Sequence, residues 1–313
     1  MLDYLEGNTI LILIYALVAL SLNFQLGMAG LLNYGQIAFF LVGAYAAAIV
    51  VQHTDPGWME LLGIPAGAAL GALMTLPVRR LSQDYWWLVT LGVAEIMRLF
   101  LESNTSIANG PSGVVGIEPL SSQATFLWIL TGIVLLCAIA SERIRRAPYG
   151  RALRVLREDE AMASALGRDV FSLRLRVMML GGAMAAGAGM LYAHYFSFIS
   201  PDQFTSGETF LIFLMILLGG QGNTLGVLIG VVLVQTTSEA TRFIAQWVNL
   251  GSDRIGNVRL FVYGLVLVLV ILWRPQGLLP ERKRRYRDRR ATASAEPATA
   301  AGGDGALLAA REA

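Results

Sequence analysis

The sequence is dominated by apolar runs that approach the length needed to cross a lipid bilayer. About 20 mostly apolar residues span the hydrocarbon core as a helix, and runs of this size recur between residues 9 and 273. Only 15% of the 313 residues are charged, compared with about 25% in soluble domains. The pattern predicts an all-α fold, a polytopic membrane helix bundle, rather than the short alternating segments of a β-barrel.

The apolar runs predict about 8–10 spans, including a broken or re-entrant pair. The predicted segments are 9–27, 31–51, 61–78, 84–101, 124–140, 177–196, 208–221, 223–241 and 258–273. The seventh segment is short, and Gly219-Gly-Gln-Gly222 interrupts the chain before the eighth. We therefore interpret these two as the broken or re-entrant pair.

The arginines predict the orientation of the chain. They concentrate in segment 141–176, at the start of the tail after residue 281, and at Arg79 and Arg80. The positive-inside rule places these regions in the cytoplasm, which puts the N-terminus outside and the C-terminus in the cytoplasm. We expect a transmembrane domain over 1–280 and a basic, then disordered cytoplasmic tail over 281–313, whose basic start would lie near anionic membrane lipid.

Small residues recur every fourth position in several spans. Such spacing lets helix backbones approach closely in lipid, which predicts a tight bundle rather than a wide pore. The stripes are Gly63/Gly67/Gly71, Gly222/Gly226/Gly230, Gly43/Ala47 and Ala185/Gly189.

A charged segment separates the fifth and sixth spans. Pro148-Tyr-Gly150 breaks the chain, and the pattern predicts one helix from Arg151 to Leu166 that stops at Gly167. Two interpretations are open. The helix lies on the membrane surface as an amphipathic element, or it inserts into a groove of a soluble ATPase and transmits its motion.

The segment resembles the cytoplasmic loop of ABC-importer permeases, and the closer resemblance is to the permease family for branched-chain amino acids, of the LivM type. Five stretches in order carry this resemblance between about residues 20 and 280. They are Gly30-Leu-Leu-Asn-Tyr-Gly-Gln-Ile-Ala-Phe-Phe40 with Gly43-Ala-Tyr45, Val89-Thr-Leu-Gly-Val-Ala-Glu-Ile-Met-Arg98, Asn109-Gly-Pro-Ser-Gly113, Gly150-Arg-Ala-Leu-Arg-Val-Leu-Arg-Glu-Asp-Glu160 and Arg274-Pro-Gln-Gly-Leu278. Gln36 departs from the family, which often has His there, and Trp86-Trp87 stands where smaller or single aromatics are usual.

The resemblance implies the permease subunit of an ATP-driven importer in a bacterial inner (plasma) membrane. It implies a homologous second permease subunit, two ABC ATPase subunits and a periplasmic substrate-binding protein as partners, with branched-chain or related small amino acids as substrates. The residues expected to couple this chain to the ATPases are Arg154, Arg157, Glu158, Asp159, Glu160, Ala161 and Gly167.

Polar residues inside the spans are candidates for the translocation pathway. Charges at such depth are costly and face a partner or a water-filled cavity, so Glu95 and Arg98 either pair at i, i+3 or serve the pathway. Thr90 offers a hydroxyl to substrate in the same span. Asn33 and Gln36 either line an inner gate or satisfy helix-end groups.

The turn-forming stretch with Asn109 and Ser112 follows the fourth span on the outer side. Its Gly and Pro content requires a defined turn, which either contacts delivered substrate or its binding protein, or serves only as a rigid loop.

Other classes of function lack sequence support. No Gly-rich loop ends in Gly-Lys-Ser/Thr, so we expect no ATP site on this chain and no cofactor. We expect no catalytic residues, no metal site and no nucleic-acid partner, because topology accounts for the arginines. The alternatives that stay open are a urea or short-amide ABC permease and a self-sufficient secondary transporter, for which Glu95 is the obvious buried acid.

Overall fold

A computed structural model describes residues 2–53, 58–79, 83–105, 109–247, 252–274 and 276–280. These residues form a helical bundle, which confirms the predicted all-α class. The predicted basic and disordered tail, 281–313, lies outside the described residues.

Each predicted span overlaps a helix. The helices are α1 (Leu2–Leu22), α2 (Gln36–His53), α3 (Gly63–Thr75), α4 (Gln83–Ser103), α5 (Gln123–Arg146), α6 (Pro148–Glu158), α7 (Glu160–Ala165), α8 (Val170–Phe196), α9 (Ser206–Gly219), α10 (Thr224–Trp247) and α11 (Ser252–Trp273). Two short strands, β1 (Val114–Val115) and β2 (Phe198–Ile199), pair antiparallel. Within the described parts of the chain, four helical stretches are long and apolar enough to cross a membrane: Tyr4–Met28, Gln123–Arg146, Val170–Phe196 and Thr224–Thr241.

Helices α2 and α3 pack on α8 through backbone-to-backbone contacts. A Cβ added at Gly67 of α3 would lie 2.6 Å from the carbonyl oxygen of Gly182. A Cβ added at Gly189 would lie 2.9 Å from the backbone nitrogen of Ala44 in α2. No real Cβ fits at such distances, so these glycines allow the close approach that the small-residue stripes predict.

Helix α9 is too short to cross a bilayer. Its 14 residues extend about 21 Å, whereas the hydrocarbon core is about 30 Å thick. The chain turns between α9 and α10 at Gly220 and Gly222, whose φ angles are +118° and +80°. A Cβ at Gly226 of α10 would lie 2.5 Å from the carbonyl oxygen of Gly219. The predicted interruption at 219–222 and the close packing of this pair are both confirmed.

The charged segment corrects one prediction, because it forms two helices rather than one. Asp159 separates α6 from α7 in an extended conformation, with φ −158° and ψ 115°. Its carboxylate accepts a hydrogen bond from the backbone N–H of Met162 at 3.1 Å. Asp is a favoured N-cap residue, so it starts a second helix where helical periodicity predicts one continuous helix.

Helix α1 ends in a π-helical segment, Asn23–Met28, in which all six residues are buried. Beyond it, the Gly30 N–H donates to the Leu26 carbonyl at 3.0 Å and the Leu31 N–H donates to the Gln25 carbonyl at 3.1 Å. π-Helical turns are rare and are frequently found at functional sites. The apolar pattern of the first span does not reveal this segment.

Candidate translocation and coupling sites

A cluster of buried amides joins the end of α1 to the start of α2. The Asn33 side chain donates from Nδ2 to Gln25 Oε1 at 2.7 Å and to Gln36 Oε1 at 3.1 Å. Gln36 donates from Nε2 to Ser21 Oγ, and all four residues are fully buried. The Gly35 N–H donates to Asn33 Oδ1 at 3.0 Å, so Asn33 also satisfies a group at the start of α2.

Thr90 connects this cluster to α4. Its hydroxyl accepts a hydrogen bond from the Tyr34 N–H at 3.2 Å and donates to the Trp87 carbonyl at 3.0 Å. The structure therefore brings Asn33, Gln36 and Thr90 together. In the conformation described here their polar atoms bond to the protein itself, and a role in the pathway stays a prediction.

Arg98 binds the carboxylates that surround it on α4 and on the segment before α9. Its Nε lies 2.9 Å from Glu95 Oε2, and its NH1 lies 3.0 Å from Glu102 Oε2 and 4.0 Å from Asp202 Oδ1. The Ser206 hydroxyl, at the first residue of α9, donates to the other oxygen of Glu95. Glu95 and Arg98 thus form the i, i+3 pair that was one of the two alternatives, and a role in the pathway stays a prediction. The contact with Ser206 was not predicted.

The carboxylates bonded to Arg98 are partly exposed on the surface of the molecule. The side chains of Glu95 and Glu102 are 35% and 36% exposed. Aliphatic lipid tails cannot solvate a carboxylate, so this flank of α4 faces water or another protein. The aromatic residues Tyr34, Trp87 and Phe210 lie beside it, with the Tyr34 ring centroid 5.8 Å from that of Trp87 and 5.3 Å from that of Phe210.

The loop that contains Asn109 and Ser112 forms the defined turn that its composition predicts. Asn109 has a φ of +57°, and its Nδ2 donates to the Gly113 carbonyl at 3.0 Å. Ser112 lies in a 3₁₀ turn, and both side chains are exposed. A groove of about 530 Å³ separates this turn from the end of α4, with Glu102, Ser103 and Pro111 in its lining.

Sequence reasoning missed a buried hydrogen bond between a histidine and a glutamate at the same end of the molecule. His194 Nε2, near the end of α8, lies 2.6 Å from Glu60 Oε2, and both side chains are less than a tenth exposed. His194 Nδ1 donates to the Glu118 carbonyl at 2.8 Å, because a carbonyl oxygen only accepts. The pair ties two loops to α8. The sequence contains only two histidines. Because Glu60 is far from His194 in sequence, no local pattern indicates that the two side chains meet.

The charged segment is held against the opposite end of α8. Glu160 pairs with the buried Arg174 at 2.7 Å, and Arg154 donates to the Arg145 carbonyl at 2.9 Å. The Arg157 guanidinium donates to the Gly27 carbonyl in the π-helical segment. Burial raises the pKa of Tyr149, whose hydroxyl lies 3.5 Å from the Leu173 carbonyl.

The remaining predicted coupling residues lie on the outside of this segment. Glu158 and Ala161 are exposed, and Gly167 ends the segment with a φ of +73°. Two large apolar side chains are exposed beside them, Met162 at 54% and Leu166 at 64%. The contact of the charged segment at Arg174 and the His194 pair lie on the same helix, α8, and are separated by about 30 Å at 1.5 Å per residue.

The chain matches the family described as branched-chain amino acid transport system / permease component over residues 4–271. It is 31% identical to the high-affinity branched-chain amino acid transport system permease protein LivM of Escherichia coli K12, over 92% of this chain and 73% of that protein. It is 30% identical to the probable LivM permease of Methanocaldococcus jannaschii, over 86% and 91%. It is also 28% identical to the LivH permease of E. coli K12, over 85% and 91%.

A solved structure shares the fold. PsaBC from Streptococcus pneumoniae in complex with Fab matches with a TM-score of 0.50, covering 87% of this chain and 92% of that one at 13% identity. The apolar helices and the family match together identify an integral membrane protein. The chain belongs to the permease family of branched-chain amino acid transport systems.

Proposed function

We propose that this chain is the membrane-spanning permease subunit of an ATP-driven (ABC) importer for branched-chain or related small amino acids. Separate ATPase subunits bind the segment 141–176, and a homologous second permease completes the pathway. A periplasmic binding protein delivers the substrate. ATP hydrolysis takes place on the partner subunits, so the chain itself is no enzyme.

The exposed apolar surface of the charged segment carries this proposal. Met162 and Leu166 extend from a helix pair rich in charged residues, beyond the apolar part of α8. Apolar side chains in such a position favour a protein partner, and the exposed Glu158 and Ala161 flank them. The anchors at Arg174, Arg145 and Gly27 fix the segment to the bundle. A partner that moves this segment therefore acts on the membrane helices.

The partly exposed charges on α4 support a seam with a second permease. Glu95, Arg98 and Asp202 lie where lipid cannot surround them, so we place this flank and the adjacent start of α9 along the pathway between two permeases. LivM and LivH of E. coli K12 are both similar to this chain, which supports a distinct but homologous partner.

The contacts at the two ends of α8 support an orientation. A Cβ added at Gly7, near the start of α1, would lie 2.8 Å from the hydroxyl of Tyr195 at the end of α8. The N-terminal end of α1 and the charged segment are thus at opposite ends. With the arginine-rich segment in the cytoplasm, the N-terminus lies outside.

The substitution Met162→Asp tests the ATPase contact. Because Met162 is exposed, we expect normal membrane insertion but loss of the ATPase subunits on purification of the complex. The matched control is Leu120→Asp. Leu120 is an exposed apolar residue in the loop before α5, close to His194 at the other end of α8, and we expect this variant to retain the ATPase subunits. Undiminished co-purification with Met162→Asp, together with normal ATP hydrolysis, would contradict the proposal.

The substrate class is tested by uptake into proteoliposomes that contain the whole transporter and its binding protein. We expect ATP-dependent accumulation of labelled leucine that excess valine or isoleucine inhibits. Competition by urea alone would assign the chain to amide transport, and uptake without ATPase subunits would indicate a self-sufficient transporter.

A further inference from the structure

The π-helical segment Asn23–Met28 receives the charged segment on one side. The Arg157 guanidinium, in the last turn of α6, donates to the Gly27 carbonyl. A Cβ added at Gly30 would lie 3.3 Å from the Cα of Arg157, and Gly30 has a φ of +73°. The end of α6 thus rests directly on the end of α1.

The turn between α9 and α10 contacts the same segment from another side. The Gly222 N–H donates to Asn23 Oδ1 at 2.9 Å, and Gln221 Nε2 donates to the Leu26 carbonyl at 3.2 Å. A Cβ at Gly27 would lie 2.7 Å from the Gly222 nitrogen. Two adjacent carbonyls therefore hold different elements: that of Leu26 holds the turn, and that of Gly27 holds α6.

Helix α9 connects this turn to the charges on α4. Its last residue, Gly219, adjoins the turn, and its first residue, Ser206, donates to Glu95. The Ile37 N–H of α2 donates to the Thr209 hydroxyl at 3.3 Å. A helix of this length is stiff, so displacement of the turn moves Ser206 relative to Glu95.

The π-helical geometry makes this segment a candidate for a change between two arrangements. A π-turn holds one more residue than an α-turn, and passing that residue into loop 29–35 would move the Leu26 and Gly27 carbonyls. Among the described residues, the buried Asn23 Nδ2 and Gln25 Nε2 atoms have no hydrogen-bond partner. Buried donors are usually paired, so these two donors of the segment are exceptions in the arrangement described.

We propose that Arg157 and Gln221 are positioning residues for transport: through the π-helical end of α1 they convey movement of α6 to α9 and so to Glu95. This inference rests on the proposed function, which supplies the ATPase that moves α6. The role differs from docking, because both side chains bind the chain's own backbone carbonyls.

The test is the substitution Arg157→Gln in the complete reconstituted transporter, measuring ATPase content, ATP hydrolysis and substrate uptake. We expect ATPase content and hydrolysis near the wild-type level, and uptake per ATP lowered at least about fivefold, a typical size for coupling between sites. Arg157→Lys keeps a cationic donor and should recover part of the uptake. The control is Arg274→Gln, an exposed arginine outside the segment 141–176, with uptake per ATP unchanged.

Gln221→Met tests the other side of the segment and should show the same loss of uptake per ATP. Wild-type uptake per ATP in either folded variant would overturn the inference. Failure of both variants to accumulate would also overturn it, because the contacts would then serve folding. Absence of ATPases from the wild-type complex would instead refute the proposed function. The experiment therefore distinguishes failure of the inference from failure of the proposed function.

Discussion

At the scale of single residues, Arg98 is the group on which the charges of α4 converge. One guanidinium lies within 4.0 Å of Glu95, Glu102 and Asp202, so the group as a whole carries excess negative charge. Glu95 is the member that also contacts α9, through Ser206. A change at Glu95 therefore affects both the charge balance and the α4–α9 contact.

Glu95→Gln tests whether this carboxylate serves the pathway. A hydrogen bond to a charged group contributes about 1.5–3 kcal/mol, so we expect lower protein yield and lower uptake when Arg98 loses this partner. Glu95→Gln combined with Arg98→Met should restore the yield, because no guanidinium is stranded, but should not restore uptake. The measurements are the protein yield and the reconstituted uptake of both variants. Recovery of uptake in the double variant would show that Glu95 does not serve the pathway.

Glu102→Gln is the matched control, since it removes the other carboxylate bonded to Arg98 and leaves Glu95 paired. We expect it to retain uptake. Full activity of Glu95→Gln alone would remove both a structural and a pathway role for Glu95.

Sequence separation explains which of these contacts were predictable. Glu95 and Arg98 are one helical turn apart, so their pairing follows from helix geometry alone. Ser206 is far from Glu95 in sequence, and Glu60 is likewise far from His194. The apolar periodicity of the helices does not indicate that Ser206 contacts Glu95 or that Glu60 contacts His194. These contacts became visible only in the folded structure.

At the scale of helices, small residues decide where backbones meet. Gly67 faces Gly182 of α8, and Gly226 faces Gly219 of α9. The sequence predicts these faces because a stripe of small residues has few other uses inside a membrane. It does not predict the π-helical end of α1 or the break at Asp159, because both depend on local hydrogen bonds rather than on apolar periodicity.

Gly67→Leu and Gly226→Leu test these contacts. Overpacking costs about 1–3 kcal/mol or more, and here the obstacle is backbone rather than a movable side chain, so we expect a lower melting temperature in detergent and lost uptake. Gly132→Leu, in the peripheral α5, is the control, since no atom lies within 4 Å of its added Cβ. Unchanged stability of both test variants would mean that the stripes do not form these contacts.

At the scale of the whole molecule, α8 separates two chemically different ends. The arginine-rich segment lies at one end, and the His194–Glu60 pair with the β1–β2 strands lies at the other. The positive-inside rule assigns the first end to the cytoplasm, and labelling of single cysteines can test that assignment.

The chain has one cysteine, Cys137, so Cys137→Ala provides a background without thiols. In intact cells, a membrane-impermeant maleimide should label Leu120→Cys but should label Ser164→Cys only after permeabilisation. Both positions are exposed, and labelling of both in detergent is the control. The reverse pattern would invert the topology.

The packing of α2 and α3 on α8 limits how such a subunit can move. Their backbones touch without an intervening layer of side chains that could change rotamer to absorb a displacement. These three helices therefore leave little room for sliding past one another. We therefore expect any opening or closing of the molecule to take place between this group and the other helices rather than within it.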